Sequence, residues 1–180
     1  DLQGPAATTR MHGFFLGSGS AHHDHFTTVD HAAPHCSSDQ EYRGVLGDKS
    51  AGVFRGRVIV RPGAPKTDAR QSNPNILLSD SASIDTKPQL EIYADDIKAS
   101  HGSTIGQLDT EALFFLRARG IGESDARLLM TRGFVQTIVD GVGDETARVL
   151  IGERVDAALS SLQSSASSMR PGSSPRRDSA

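Results

Sequence analysis

The sequence is poor in several of the features that usually declare a protein class. It has one cysteine, Cys36, so no disulfide within the chain can form, and a disulfide-stapled secreted module is excluded. It has no tryptophan and only two tyrosines, which leaves a core to Val, Ile, Leu, Ala and seven Phe. Charge of one sign is also scarce. A formal net charge of -3 gives no field for general nucleic-acid binding, which rests on Lys and Arg neutralising phosphates. No apolar run approaches the roughly 20 residues that cross a bilayer, and no signal-peptide pattern is visible at the N-terminus. The expectation is a chain of a reducing compartment with neither membrane nor nucleic acid as partner. With 36% hydrophobic residues in 180, it can still bury a core.

What is present divides into three textures. Residues 1–108 are rich in Gly, Ser, Asp, Asn and Thr, with short apolar bursts at Gly52–Val60, Asn75–Leu78, Ala82–Ile84 and Gln89–Tyr93. Each burst has strand length and is bounded by turn formers. No helical period appears between Asp39 and Leu108, so there is no room for the crossover helices that parallel strands usually need. An antiparallel sandwich and a β-helix both satisfy this pattern, and periodicity leaves the two open.

Residues 109–163 change period. Asp109 or Thr110 can cap a first helix over Glu111–Arg119, ended by Gly120. Ser124 can cap a second over Asp125–Val139, with Ala126, Leu129, Met130 and Phe134 on one face. Asp144 can cap a third, whose stripe runs from Ala147 to Leu162. Residues 164–180 are a Ser-, Arg- and Pro-rich stretch too polar to offset ordering entropy, which predicts a disordered tail.

Few residues suggest chemistry by themselves. Six of the seven histidines are His12, His22, His23, His25, His31 and His35. The cluster His22, His23 and His25, with Asp24 among them, is a candidate metal site for a metal-dependent β-fold enzyme, because neutral imidazoles and a carboxylate bind first-row metals. The spacing matches no zinc module, and turn or surface histidines with Cys36 as a small core residue form the plainer reading. Gly47-Asp48-Lys49-Ser50 fails as a phosphate loop, since Asp48 stands where glycine is needed and would repel phosphate. No nucleophile elbow or dinucleotide fingerprint is present, and no catalytic residue is assigned.

Longer motifs carry a resemblance. They include His31-Ala-Ala-Pro-His-Cys-Ser-Ser-Asp-Gln40, Tyr42-Arg-Gly-Val-Leu46, Gly52-Val-Phe-Arg-Gly56, Lys66-Thr-Asp-Ala69 and Gln71-Ser-Asn-Pro-Asn-Ile-Leu-Leu-Ser79. The longest is Asp85-Thr-Lys-Pro-Gln-Leu-Glu-Ile-Tyr-Ala-Asp-Asp-Ile-Lys98, followed by Ser100-His-Gly-Ser-Thr104, Gly106-Gln-Leu-Asp109 and Ala112-Leu-Phe-Phe-Leu-Arg-Ala-Arg-Gly-Ile121. Together they resemble the SufB/SufD family of iron–sulfur cluster assembly scaffolds, the SufD branch more than SufB, over roughly Met11 to Val139.

The resemblance implies a right-handed parallel β-helix over residues 1–108, truncated at its N-terminal side relative to the family, followed by a small C-terminal helical domain. It implies a non-catalytic subunit that pairs with SufB near Tyr93–Ile105, and that docks the ATPase SufC on helices 109–163. A homodimer is a further pairing it allows. ATP hydrolysis belongs to SufC, and no nucleotide is expected in this chain. It implies His101 as the residue that binds iron or a nascent iron–sulfur cluster transiently at the SufB interface. Two departures stand out: Ala99 replaces the Cys that the family usually carries before Ser-His-Gly, and Pro65 replaces a frequent Gln. Family members are longer, so the chain reads as a fragment or a short form, an active subunit or an inactive remnant. The machinery implies a bacterial cytoplasm or a plastid stroma.

Overall fold

The computed structural model describes residues 1–168. Seven strands wind into a parallel β-solenoid of about three turns, and three helices follow. The strands are β1 (Thr8–Gly17), β2 (His22–His31), β3 (Ser37–Leu46), β4 (Ala51–Val60), β5 (Asp68–Leu77), β6 (Ser83–Ile92) and β7 (Lys98–Gly106). Odd strands form one parallel sheet in the order β1-β3-β5-β7, and even strands form the other, β2-β4-β6. Thr8 lies opposite Ser37, and Ser37 opposite Asp68, so one coil takes about 30 residues. This resolves the choice between sandwich and β-helix.

The coil corners form columns. Ala6, His35, Lys66 and Asp96 all adopt left-handed backbone, with φ of 60°, 60°, 61° and 54°. Three of them follow a proline (Pro5, Pro34 and Pro65), which pre-sets the preceding turn residue. Pro65 therefore sits in a corner, outside any ladder. Amides link corner to corner: His35 N donates to Pro65 O at 2.9 Å, and Lys66 N to Asp96 O at 2.9 Å. The Gly47–Ser50 stretch is a corner on the other side. There Asp48 accepts from Gly19 N at 2.7 Å, a structural task for the carboxylate that spoiled the phosphate-loop reading.

The interior is layered. Val29, Val58, Val60, Ala64 and Ala69 form an apolar cluster at one corner, and Phe15, Leu46 and Ala82 another near the opposite corner. Polar side chains run through the middle. Gln40 Nε2 donates to Thr27 Oγ1 at 2.6 Å, Gln71 Nε2 to Gln40 Oε1 at 2.6 Å, and Thr86 Oγ1 to Asn73 Oδ1 at 2.8 Å. A buried amide costs little when paired in this way. Gly44 and Gly56 leave the space these amides need: a Cβ at Gly44 meets Asn75 Oδ1 and the Phe15 ring, and one at Gly56 meets Gln71.

The helices are α1 (Thr110–Arg117), α2 (Glu123–Asp140) and α3 (Glu145–Ser168). Asp109 caps α1 by accepting from Glu111 N at 2.8 Å, and Asp144 accepts from Ala147 N at 2.7 Å at the head of α3. The cap expected from Ser124 is replaced by Gly122, so α2 starts earlier. α3 continues past the expected end at Gln163 to Ser168, because extending an established helix by small residues costs little. The remainder of the predicted tail, 169–180, lies outside the described residues. Val135, Val139, Val155 and Leu159 pack with Phe14 and Leu16, which seats α2 and α3 on β1. Arg43 locks the contact by donating to Phe134 O at 2.5 Å, with its guanidinium 5.0 Å from the Phe134 ring centre.

Candidate functional site at the open end of the solenoid

The last coil is unfinished. β7 has β5 as its one strand neighbour, and β6 has β4. β7 still contacts β6 of the other sheet, but on the side away from β5 no strand pairs with it among the described residues. One edge of β7 therefore offers its backbone N–H and C=O groups without a ladder partner. Exposed apolar side chains lie toward both ends of this strand: Ile92 (43% exposed) and Tyr93 (61%) before it, and Ile105 (51%) near its end.

His101 sits in this open coil. It lies opposite Gln71 in the β5–β7 register, and Gln71 is an interior residue. Side chains alternate faces along a strand, and residues in register share a face. Ala99, His101, Ser103 and Ile105 thus occupy the interior-facing positions of β7, yet His101, Ser103 and Ile105 are exposed because nothing closes over them.

As a site for iron, the coil is incomplete. Among the described residues no group of three His, Cys, Asp or Glu side chains is placed to hold a metal ion. Ala99 offers no ligand, and Cys36 is buried in a corner with its Sγ 3.3 Å from Gly4 O. His101 is the one side chain with a ring nitrogen, thiol or carboxylate on the exposed inner face of β7.

The His22, His23 and His25 metal site is not formed. His23 and His25 do share a face, but their rings stack with centroids 6.4 Å apart. His25 packs into the solenoid with ring centroids 4.7 Å from Phe15 and 6.0 Å from Tyr42, while His22 is exposed. These histidines line the wall of the solenoid instead of converging on a point.

Burial has an electrostatic consequence that sequence reasoning missed. Burial pushes the His31 pKa below its ordinary 6.5, against the opposing pull of Asp30. Its Nε2 bonds Ser38 Oγ at 2.9 Å, while Nδ1 is buried without a partner. His25 is lowered by burial first and by His23 second. Asp30 is held low by its hydrogen bonds to Arg61, the shortest 2.6 Å. With both histidine pKa values depressed on folding, the unfolded chain binds protons first as pH falls through 6.5. Stability is then fully present above that pH and is lost below it. Urea midpoints should be level above about pH 7 and fall steadily toward about pH 5. A midpoint that stays level across this range would contradict the assignment.

Comparison with known proteins agrees with the fold. The family model described as "SUF system FeS cluster assembly, SufBD core domain" matches residues 1–134. The iron–sulfur cluster assembly protein SufD of Escherichia coli is 36% identical over 158 residues, 88% of this chain and 37% of that protein. An iron–sulfur cluster assembly SufBD family protein of Synechocystis is 36% identical over 140 residues, 78% of this chain and 31% of that protein. Protein ABCI7, chloroplastic, of Arabidopsis thaliana is 35% identical over 113 residues, 62% of this chain and 23% of that protein. The chain thus spans between 23% and 37% of the length of these relatives. No helix among the described residues is long and apolar enough to cross a membrane.

Proposed function

Because the chain belongs to the SufBD family of iron–sulfur cluster assembly proteins, we propose that it is a SufD-like scaffold subunit whose open last coil pairs with a SufB-type chain. The observation that carries this reading is the unpartnered β7 edge, flanked by Ile92, Tyr93 and Ile105. Such an edge gains affinity from main-chain hydrogen bonds to an added strand, and apolar neighbours supply the burial.

In that pairing His101 presents one imidazole to the cluster, which is cargo and not a resident cofactor. Any thiolate must come from the partner, since the chain's one thiol is buried. A scaffold needs a cluster that can leave, and a single exchangeable imidazole suits release. The helices offer a separate surface. Phe114 is 72% exposed and Phe115 54%, and Phe114 lines an open groove with Arg117, Ile121 and Glu123. This is where a SufC-type ATPase docks in the proposed assembly, and nucleotide chemistry belongs to that partner.

The test is anaerobic co-expression with SufB and SufC chains, followed by size exclusion and metal analysis. The three are expected to co-elute with iron–sulfur absorbance, and His101→Ala to keep co-elution while lowering that absorbance several-fold. Absorbance indifferent to His101→Ala would discard the ligand. A folded chain that never co-elutes would overturn the subunit reading.

A further inference from the structure

The polar side chains inside the solenoid form a ladder with a direction, and its last rung is empty. Gln40 donates to Thr27, and Gln71, one coil further on, donates to Gln40. Each glutamine thus gives its N–H to the coil behind and offers its carbonyl oxygen to the coil ahead. Gln40 Oε1 is used in this way. Gln71 Oε1 is not: the side chain is 3% exposed, and this oxygen is buried with no hydrogen-bond partner. The residue one coil ahead is His101, directly opposite Gln71 in the β5–β7 register. Adjacent strands lie about 4.8 Å apart, within reach of an imidazole N–H. Ser100 falls on the opposite face of β7 by the alternation of the strand.

In this structure the exposed His101 ring makes no hydrogen bond to that oxygen; we propose that a rotation of its side chain lets a ring N–H donate to Gln71 Oε1, which makes Gln71 the residue that fixes the tautomer of His101. A neutral imidazole carries one N–H and one lone pair. Committing the N–H inward to Gln71 leaves the lone pair of the other nitrogen facing the open end of the coil. Gln71 is then a positioning residue, acting on a ligand or partner through His101, in the way that a hydrogen bond to one nitrogen sets which nitrogen binds a metal. The hydrogen bond stands on the ladder geometry alone. Its bearing on the cluster rests on the reading of His101 given above.

The test needs neither metal nor partner. The 180-residue chain is labelled with 15N, and two-bond 1H–15N correlations of the imidazoles are recorded at about pH 8, where histidine is neutral. His101 is assigned by its loss in His101→Ala. One tautomer should dominate at His101 in the native chain and give way to a mixture in Gln71→Met. A mixture at His101 in the native chain overturns the proposal whatever the variants do. So does a single tautomer that persists in Gln71→Met while the other histidine signals show the fold intact. Because no cluster is involved, failure here leaves the cluster experiment standing, and failure there leaves the ladder standing.

Discussion

Phe54→Ala should lower the free energy of unfolding by about 3–5 kcal/mol, the range for an aromatic truncated in a closed core. Phe54 is fully buried in the middle of β4 and is the largest fully buried side chain among the described residues. Its ring centroid lies 5.2 Å from that of Tyr42 on the facing sheet. The walls around it cannot close in. β4 is held in register by β2 on one side and β6 on the other, at a spacing that backbone hydrogen bonds set. The space left by the ring thus persists as a cavity instead of relaxing. Against a typical total of about 5–15 kcal/mol, the variant is marginal at room temperature. Urea unfolding should show a lower midpoint with little change in slope. A loss below about 1 kcal/mol would mean that the solenoid repacks more freely than this geometry permits.

The same layered interior explains how much of the fold was legible in the sequence. The apolar bursts marked β4, much of β6 and the end of β5, and the period change near Asp109 marked the helices. β3 and most of β5 did not announce themselves. Beside the apolar Val45, Leu46 and Ala69, their buried positions include the polar Ser38, Gln40, Gln71, Asn73 and Asn75, so an apolar pattern breaks off along inner faces that are largely polar. β7 was hidden for a different reason: its inner face is exposed, so no burial pattern is needed there. The coil period was written in the corners, as Pro5-Ala6, Pro34-His35 and Pro65-Lys66, about 30 residues apart. A search for short repeats passes over it. The family resemblance supplied the β-helix and drew attention to His101, but no local rule places His101 above Gln71. That relation exists only in the register of β5 and β7. The histidine cluster misled because proximity in sequence within a strand is not convergence in space: successive residues face apart, and those on one face stack side by side.

The second large effect concerns association. Ile105→Asp should leave the isolated chain folded, because the side chain is half exposed and belongs to none of the buried clusters. In the proposed complex the same position is covered, and a carboxylate there is buried without a partner. Loss of a central apolar contact and burial of a charge each cost about 2 kcal/mol or more at an interface. Affinity for a SufB-type chain should fall at least ~30-fold, the factor that about 2 kcal/mol represents. Affinity for a SufC-type chain should be unaffected, since the exposed α1 residues Phe114 and Phe115 lie outside the open coil.

The claim beneath both the interface and the site is that β7 is an edge strand awaiting a neighbour. Amide hydrogen exchange of the chain alone and in complex with SufB measures this directly. The free-edge amides within Lys98–Gly106 should exchange readily in the isolated chain and become protected by ~100-fold or more in the complex. A stable complex in which β7 exchange is unchanged, with new protection confined to another surface, would contradict the account.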